Sequence, residues 1–319
     1  MIEKGAFVVS LDYELMWGGL DIWSEEDYGK SNIAHVAEVI QRLIALFEQY
    51  HVKATFATVG LIMHKSKTDA QESIPKEVPS YDNNKLFPYG KYLDGISDNN
   101  LYFAPNTITL LKASNKIEIG TQTYSHYYCW EKGQTIKQFE CDIKKAIELA
   151  KRNNINLKSI VFPRNQVSAE YLNICKQYGI NIYRGNALKY FSEPKNRIEN
   201  YKNKICRLLD AYINISGRTS FKFAEIKEGD MLNVRASRIL RPYSNILRHF
   251  ESQRLKRIKN EITYAAKNKE IYHLWFHPHN FGCNMDQNIL FLEEILKHYS
   301  LCRDKYEMMS MTMSDFENI

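Results

Sequence analysis

Short apolar runs alternate with amphipathic stretches along most of this chain. Phe7-Val8-Val9-Ser10-Leu11 is apolar, rich in β-branched residues and bounded by Gly5, which predicts a buried strand. Ile33, Val36, Ala37, Ile40, Leu43, Ile44 and Phe47 follow at three-four spacing, the signature of one helical face, and Ser31 or Asn32 can cap its start. Residues 53–60 read as a second strand. Strand, helix and strand with short links make a βαβ unit and imply a parallel sheet. The alternation continues with a strand at 117–120 and a helix opened by a Thr135/Gln138 capping box, its buried face carrying Phe139, Ile143 and Ala146. Next come a strand at 160–163, a helix over 168–178 stopped by Gly179, and a strand at 180–184. A helix at 246–267, a strand entering the loop 271–280, a helix at 288–299 and a last strand within 306–313 complete the pattern.

Two stretches break the rhythm. Residues 64–108 are polar and hold Pro75, Pro79, Pro88 and Pro105, yet aromatics from Tyr81 to Phe103 argue against disorder. They predict an insertion that folds over a cleft. Residues 186–245 are less regular, with short apolar runs and Arg235, Arg238 and Arg241. No internal repeat is visible, so the expectation is one α/β domain over 1–319, a barrel rather than two units.

Composition narrows the classes. The chain has 319 residues, 25% of them charged, with net charge +6, which is mild for a dedicated nucleic-acid binder. The 246–267 helix shows Arg248, Arg254, Lys256, Arg257 and Lys259 on its outer face; a solvated basic face is the simpler reading, an anionic surface the alternative. No apolar run reaches transmembrane length, so no membrane span is expected. The N-terminus enters a strand without a signal-peptide pattern, which predicts a cytoplasmic protein unless a leader has been removed. Six scattered cysteines form no CxxC pair, so neither a zinc ribbon nor a disulfide framework is indicated. Tyrosine, at 21 residues, suits sugar contacts as well as half-buried positions.

Chemistry gathers where strands end. Asp12 and Glu14 close the first strand, His126 follows the third, Arg164 the fourth, and His277 lies where the strand from 271 exits. In open sheets and barrels of the α/β class that is the reactive end. A histidine after a strand is often structural, and a metal site made of His273, His277 and His279 is a further reading, interrupted by Pro278.

This ordered set resembles the polysaccharide deacetylases, the NodB-homology group of carbohydrate esterases. Ser10-Leu11-Asp12-Tyr13-Glu14 is similar to the family's first motif, Gln122-Thr123-Tyr124-Ser125-His126 to the second, Phe162-Pro163-Arg164 to the third, and Leu274-Trp275-Phe276-His277 to the fifth. The resemblance implies a distorted (β/α) barrel of about seven parallel strands, related to the TIM barrel. It implies Asp12 as catalytic base, His277 as general acid and Arg164 as the arginine holding the base. It implies a divalent metal ion, zinc or similar, at Glu14, Gln122 and His126. Trp17, Tyr124 and Trp275 are the aromatic candidates for substrate contact.

Two departures bear on this reading. The usual metal histidine is Gln122, and the usual second aspartate is Tyr13, which shifts the metal acid to Glu14. An amide oxygen suits zinc poorly. Gln122 therefore has three explanations: a weakly held metal, a sugar-binding relative without catalysis, or a residue introduced to trap a complex. The expected activity is removal of an N- or O-linked acetyl group from a sugar or glycan, an intermediate of surface polysaccharide biosynthesis. The alternative is a non-catalytic carbohydrate-binding relative. The oligomeric state is left open.

Overall fold

The computed structural model describes residues 4–187, 205–206 and 208–319. Part of the irregular 186–245 stretch, at 188–204 and 207, lies outside the described residues. Strand β1 (Ala6–Tyr13) is buried along its whole length, as expected for a run with no polar face except Ser10 and Asp12. Its neighbours are β2 (Ala54–Thr58) on one side and β9 (Ile271–Phe276) on the other, both parallel. Beyond β2 lie β3 (Ile117–Thr121), β4 (Ser159–Ile160) and β5 (Ile182–Tyr183), again parallel.

One continuous strip then closes the ring. β7 (Met231–Asn233) pairs with β5, and β8 (Arg238–Ile239), which follows after a short link, pairs with β9. Between them the strip changes partner. Val234 and Ala236 donate backbone N–H to Tyr183 and Gly185, and Ser237 donates to His273. Counted this way, seven parallel strands encircle the interior: β1 to β5, the β7–β8 strip and β9. The two-residue hairpin strand β6 (Lys227–Glu228) and β10 (Met309–Met311) are additions, β10 pairing with the start of β1. The alternation of elements predicts an α/β barrel, and the distorted form with about seven strands is the one that the family resemblance implies.

Helices α1 (Val36–Gln49), α2 (Pro105–Ala113), α3 (Ile136–Arg152), α4 (Ala169–Gln177), α5 (Glu251–Asn268) and α6 (Met285–Tyr306) connect the strands. The outward residues Phe7, Val9, Leu11 and Tyr13 of β1 join the large core beneath them. The inward residues Ala6 and Val8 belong to a smaller cluster with Val161, Ile182, Val234 and Ile271, which fills the lower barrel. Period-two alternation therefore carries β1 inward from alanine and valine to Ser10 and then Asp12. Thr135 and Gln138 form the predicted capping box of α3, both halves present.

The 64–108 stretch is ordered by its aromatics. Tyr81, Tyr89, Tyr102 and Phe103 are buried, and the segment ends in α2, which Pro105 opens at its first turn. The basic face predicted for the 246–267 helix needs correction. Arg254 and Arg257 are buried: Arg257 pairs with Asp210 at 3.1 Å, and Arg254 pairs with Glu251 and lies over the Phe291 ring.

Candidate active site

The site is built at the carboxyl ends of β1, β3, β5 and β9. Asp12 is the last inward residue of β1 and is 3% exposed. Arg184, directly after β5, clamps it with two parallel bonds: Nη1 to Oδ1 at 2.6 Å and Nη2 to Oδ2 at 2.7 Å. The guanidinium also donates to Ser10 Oγ at 3.0 Å and to Asn165 Oδ1 at 3.3 Å, and lies over the Trp275 ring. A fork–fork pair of this kind fixes the carboxylate plane. Behind it, His273 Nε2 lies 2.8 Å from Ser10 Oγ and Nδ1 lies 3.0 Å from the Val234 carbonyl. Burial, with Arg184 nearby, pushes the His273 pKa down to about 3, so this imidazole is neutral. His273 is thus a buried support, and the reading that joins it to His277 and His279 in one metal site is not what the fold builds.

Glu14 sits just past β1, before the turn Leu15–Gly19. A Cβ on Gly18 would lie 2.0 Å from Glu14 Oε2, so only glycine leaves room for this carboxylate to fold back. Three side chains converge on Glu14 Oε1: Gln122 Nε2 donates at 2.7 Å, His126 Nε2 lies at 3.3 Å and His277 Nε2 at 3.6 Å. His277 Nε2 is also 3.7 Å from Asp12 Oδ2. Burial works to raise the Glu14 pKa, but His277 and His126 outweigh it and hold the carboxyl well below its usual range. Burial alone would lower His277; the carboxylates of Glu14 and Asp12 raise it. Glu14, His277 and His279 also bring ligand atoms within 4.8 Å of one another.

The loop from Gln122 to His126 is strained. Thr123 and His126 both have positive φ, at 64° and 58°, and for a β-branched threonine that is a rare conformation. Thr123 Oγ1 accepts from the Tyr127 N–H at 2.7 Å, and Asp142 on α3 accepts from the Tyr124 N–H at 2.7 Å and the Ser125 N–H at 3.2 Å. Burial lifts the Asp142 pKa to about 6, against the hydrogen bonds that lower it. The unfolded chain gives up this proton nearer pH 4, so the stabilising contribution is full below that point and is lost as pH rises through about 6. In chemical denaturation, Asp142→Asn should therefore gain on the wild type between pH 4 and pH 7, by a difference of order 3 kcal/mol.

Several predicted positions need correction. Arg164 does not serve Asp12. It has φ +53° and turns outward to Asp21, at 2.9 Å, and Glu131, at 3.4 Å, over the Tyr128 ring. Arg184 fills the role instead. Its signal was present in strand parity, since Ile182 faces the barrel interior and Arg184 must then do the same. Trp17 is fully buried, donates to the Tyr102 carbonyl at 2.8 Å and packs on Tyr102 and Phe103, so it anchors the insertion. Tyr124 is likewise buried, with its hydroxyl at His64 Nε2 and the Ser73 carbonyl. Neither faces substrate. Trp275 does stay at the site, edge-on to His277 with ring centroids 5.6 Å apart. Asn32 does not cap α1; its amide donates to the His279 carbonyl. Sequence reading also passed over Trp23 and Tyr28, which stack on each other and pack edge-on against His279.

Residues 27–183 match the family model of polysaccharide deacetylases. That range includes Gln122, His126 and Arg164, while Asp12, Glu14 and His277 lie outside it. A Mycobacterium smegmatis structure assigned to the polysaccharide deacetylases is similar over 99% of this chain and 91% of its own, with TM-score 0.58 and 12% identity. A Pseudomonas aeruginosa PAO1 structure with the same assignment gives TM-score 0.52 and 12% identity over 98% of this chain and 89% of its own. The Puue allantoinase structure gives TM-score 0.52 and 11% identity over the same shares. No curated protein matches the sequence. The chain is a relative of the polysaccharide deacetylases, with the α/β barrel of NodB-like proteins. The allantoinase shares the barrel, so the fold leaves the substrate to the site.

Proposed function

We propose that the protein is a carbohydrate deacetylase, a metal-dependent hydrolase that removes an N- or O-linked acetyl group. The observation that carries this reading is the convergence of Asp12, Glu14, His126 and His277 in one cluster, with Arg184 clamping the first. Buried polar atoms there support a bound cation. Gln122 Oε1, His126 Nδ1 and His279 Nδ1 have no hydrogen-bond partner among the described residues. Imidazole and carboxylate are the donors a zinc-like ion takes. Glu14 would hold it, with His126 and the Gln122 oxygen. Bound there, a divalent ion supplies Lewis acidity, acidifying water and polarising an acetyl carbonyl.

The chain's own groups do the rest. Asp12 accepts the proton of the attacking water, and Arg184 fixes the plane of its carboxylate through two parallel bonds. His277, whose pKa is raised by Glu14 and Asp12 against its burial, carries a proton to the departing nitrogen or oxygen. Trp275 packs edge-on against that imidazole. The substrate is read as a sugar or glycan intermediate of surface polysaccharide assembly, handled in the cytoplasm.

A second reading has its own observation. Gln122 spends its amide N–H on Glu14, where the family places an imidazole, which fits a carbohydrate-binding relative without catalysis. Metal analysis of the purified protein, with acetate release from a panel of acetylated sugars, separates the two. The deacetylase releases acetate when loaded with zinc or a similar ion; a folded protein that binds sugar, takes up no ion and releases nothing is the silent relative. For the deacetylase, Gln122→His should tighten metal binding at least about tenfold in a calorimetric titration, because a direct ligand outweighs a supporting contact.

A further inference from the structure

Seven large apolar side chains stand exposed in two neighbouring segments, 205–215 and 246–250. Ile205, Leu208, Leu209, Ile213 and Ile215 are in the first, Ile246 and Phe250 in the second, with Ile246 90% exposed. The Tyr212 and Phe250 rings touch, at 6.2 Å between centroids, which joins the two segments into one surface. The first segment is turned inside out with respect to water. Its carboxylate, Asp210, is buried against Arg257 at 3.1 Å and Arg238 at 3.5 Å, and accepts from the Ser216 N–H, while its aliphatic side chains point out. Arg257 also donates to the Ile213 carbonyl. The outward set of the segment is therefore held in place by a buried ion network.

Among the described residues of these two stretches the exposed charge is cationic. Arg218, Arg248 and Lys256 are exposed, whereas the two acids among the described residues of 205–218 and 241–260 are Asp210, which is buried, and Glu251, which is paired with Arg254. Aliphatic and aromatic side chains inside a cationic rim match a bilayer with anionic headgroups, where the apolar groups enter the acyl boundary and the cations meet phosphate. Self-association fits less well. A two-fold contact would set this rim against its own copy, cation against cation. No helix among the described residues is long and apolar enough to cross a membrane. Topology places the surface usefully. The chain leaves β8 at the end of the barrel where Asp12 and His277 lie, and runs through 240–250 to the start of α5.

We infer that this surface docks the protein on an anionic lipid bilayer, as a peripheral contact and with the barrel's reactive end held near the membrane. The inference goes beyond the deacetylase reading and does not rest on it. Flotation of the full-length protein with vesicles tests it, using phosphatidylcholine alone and phosphatidylcholine mixed with phosphatidylglycerol. Binding is expected to the anionic vesicles and not to the neutral ones, and to weaken in high salt. An Ile246→Ser/Phe250→Ser variant and an Arg248→Glu/Lys256→Glu variant should each lose about tenfold or more in binding. These four positions are exposed, so both variants should unfold at the wild-type temperature, which the same preparations will show. No flotation, equal flotation on neutral vesicles, or undiminished binding by both folded variants overturns the inference. So does a wild-type dimer that the apolar variant splits without any vesicle binding, which would assign the surface to a second copy.

Discussion

Arg184→Ala should cost about 3–5 kcal/mol of folding stability, the usual consequence of stripping one partner from a buried ion pair. Arg184 is fully buried, and its partner Asp12 is 3% exposed. The variant leaves Asp12 without its two short bonds, Ser10 without a donor and Trp275 without the cation over its ring. Urea titration near neutral pH is the measurement. Arg164→Ala is the control. Its side chain is 38% exposed and its partners Asp21 and Glu131 lie on the outer lip, so its cost should stay below about 1 kcal/mol. Equal costs for the two arginines would contradict the assignment of the clamp to Arg184.

The second large effect concerns turnover. Asp12→Asn should lower acetate release by about 10²–10⁴-fold, the range a general base contributes. The amide keeps an oxygen for Arg184 and nearly the same shape, but has no lone pair basic enough to take a proton from water. Metal binding at Glu14 should persist, so the loss should fall on turnover with ion content unchanged. If the variant turned over substrate at the wild-type rate, the base would have to be sought elsewhere, and Glu14 would be the first place to look.

Much of the architecture was legible from period and parity alone. The stripe of Val36, Ile40, Leu43 and Phe47 became α1, and the capping box at Thr135 opened α3, because both signals are local and agree with the packing. The acids and histidines that gather at the site were legible as strand exits. The clamp was not. Arg164 follows a Phe-Pro pair that resembles a family motif, yet its left-handed backbone sends the side chain to the lip. Arg184 had no motif around it, only an inward position at the end of a strand. Trp17 and Tyr124 stood beside reactive residues in the chain, but neighbours along a strand exit or a turn face different ways, and both serve packing.

By itself the order of apolar and polar positions determined that this chain forms parallel strands crossed by helices, and that its acids and imidazoles sit at one end of them. Those outcomes depend on interactions between residues close in sequence. Which arginine reaches Asp12, that Gln122 donates to Glu14, and that α5 hides two of its arginines were decided only in three dimensions. The first two depend on how the β7–β8 strip closes the ring and how the loops after β3 and β4 turn, since groups more than a hundred residues apart meet only once that closure is made; the third depends on Asp210 and Phe291 packing against α5.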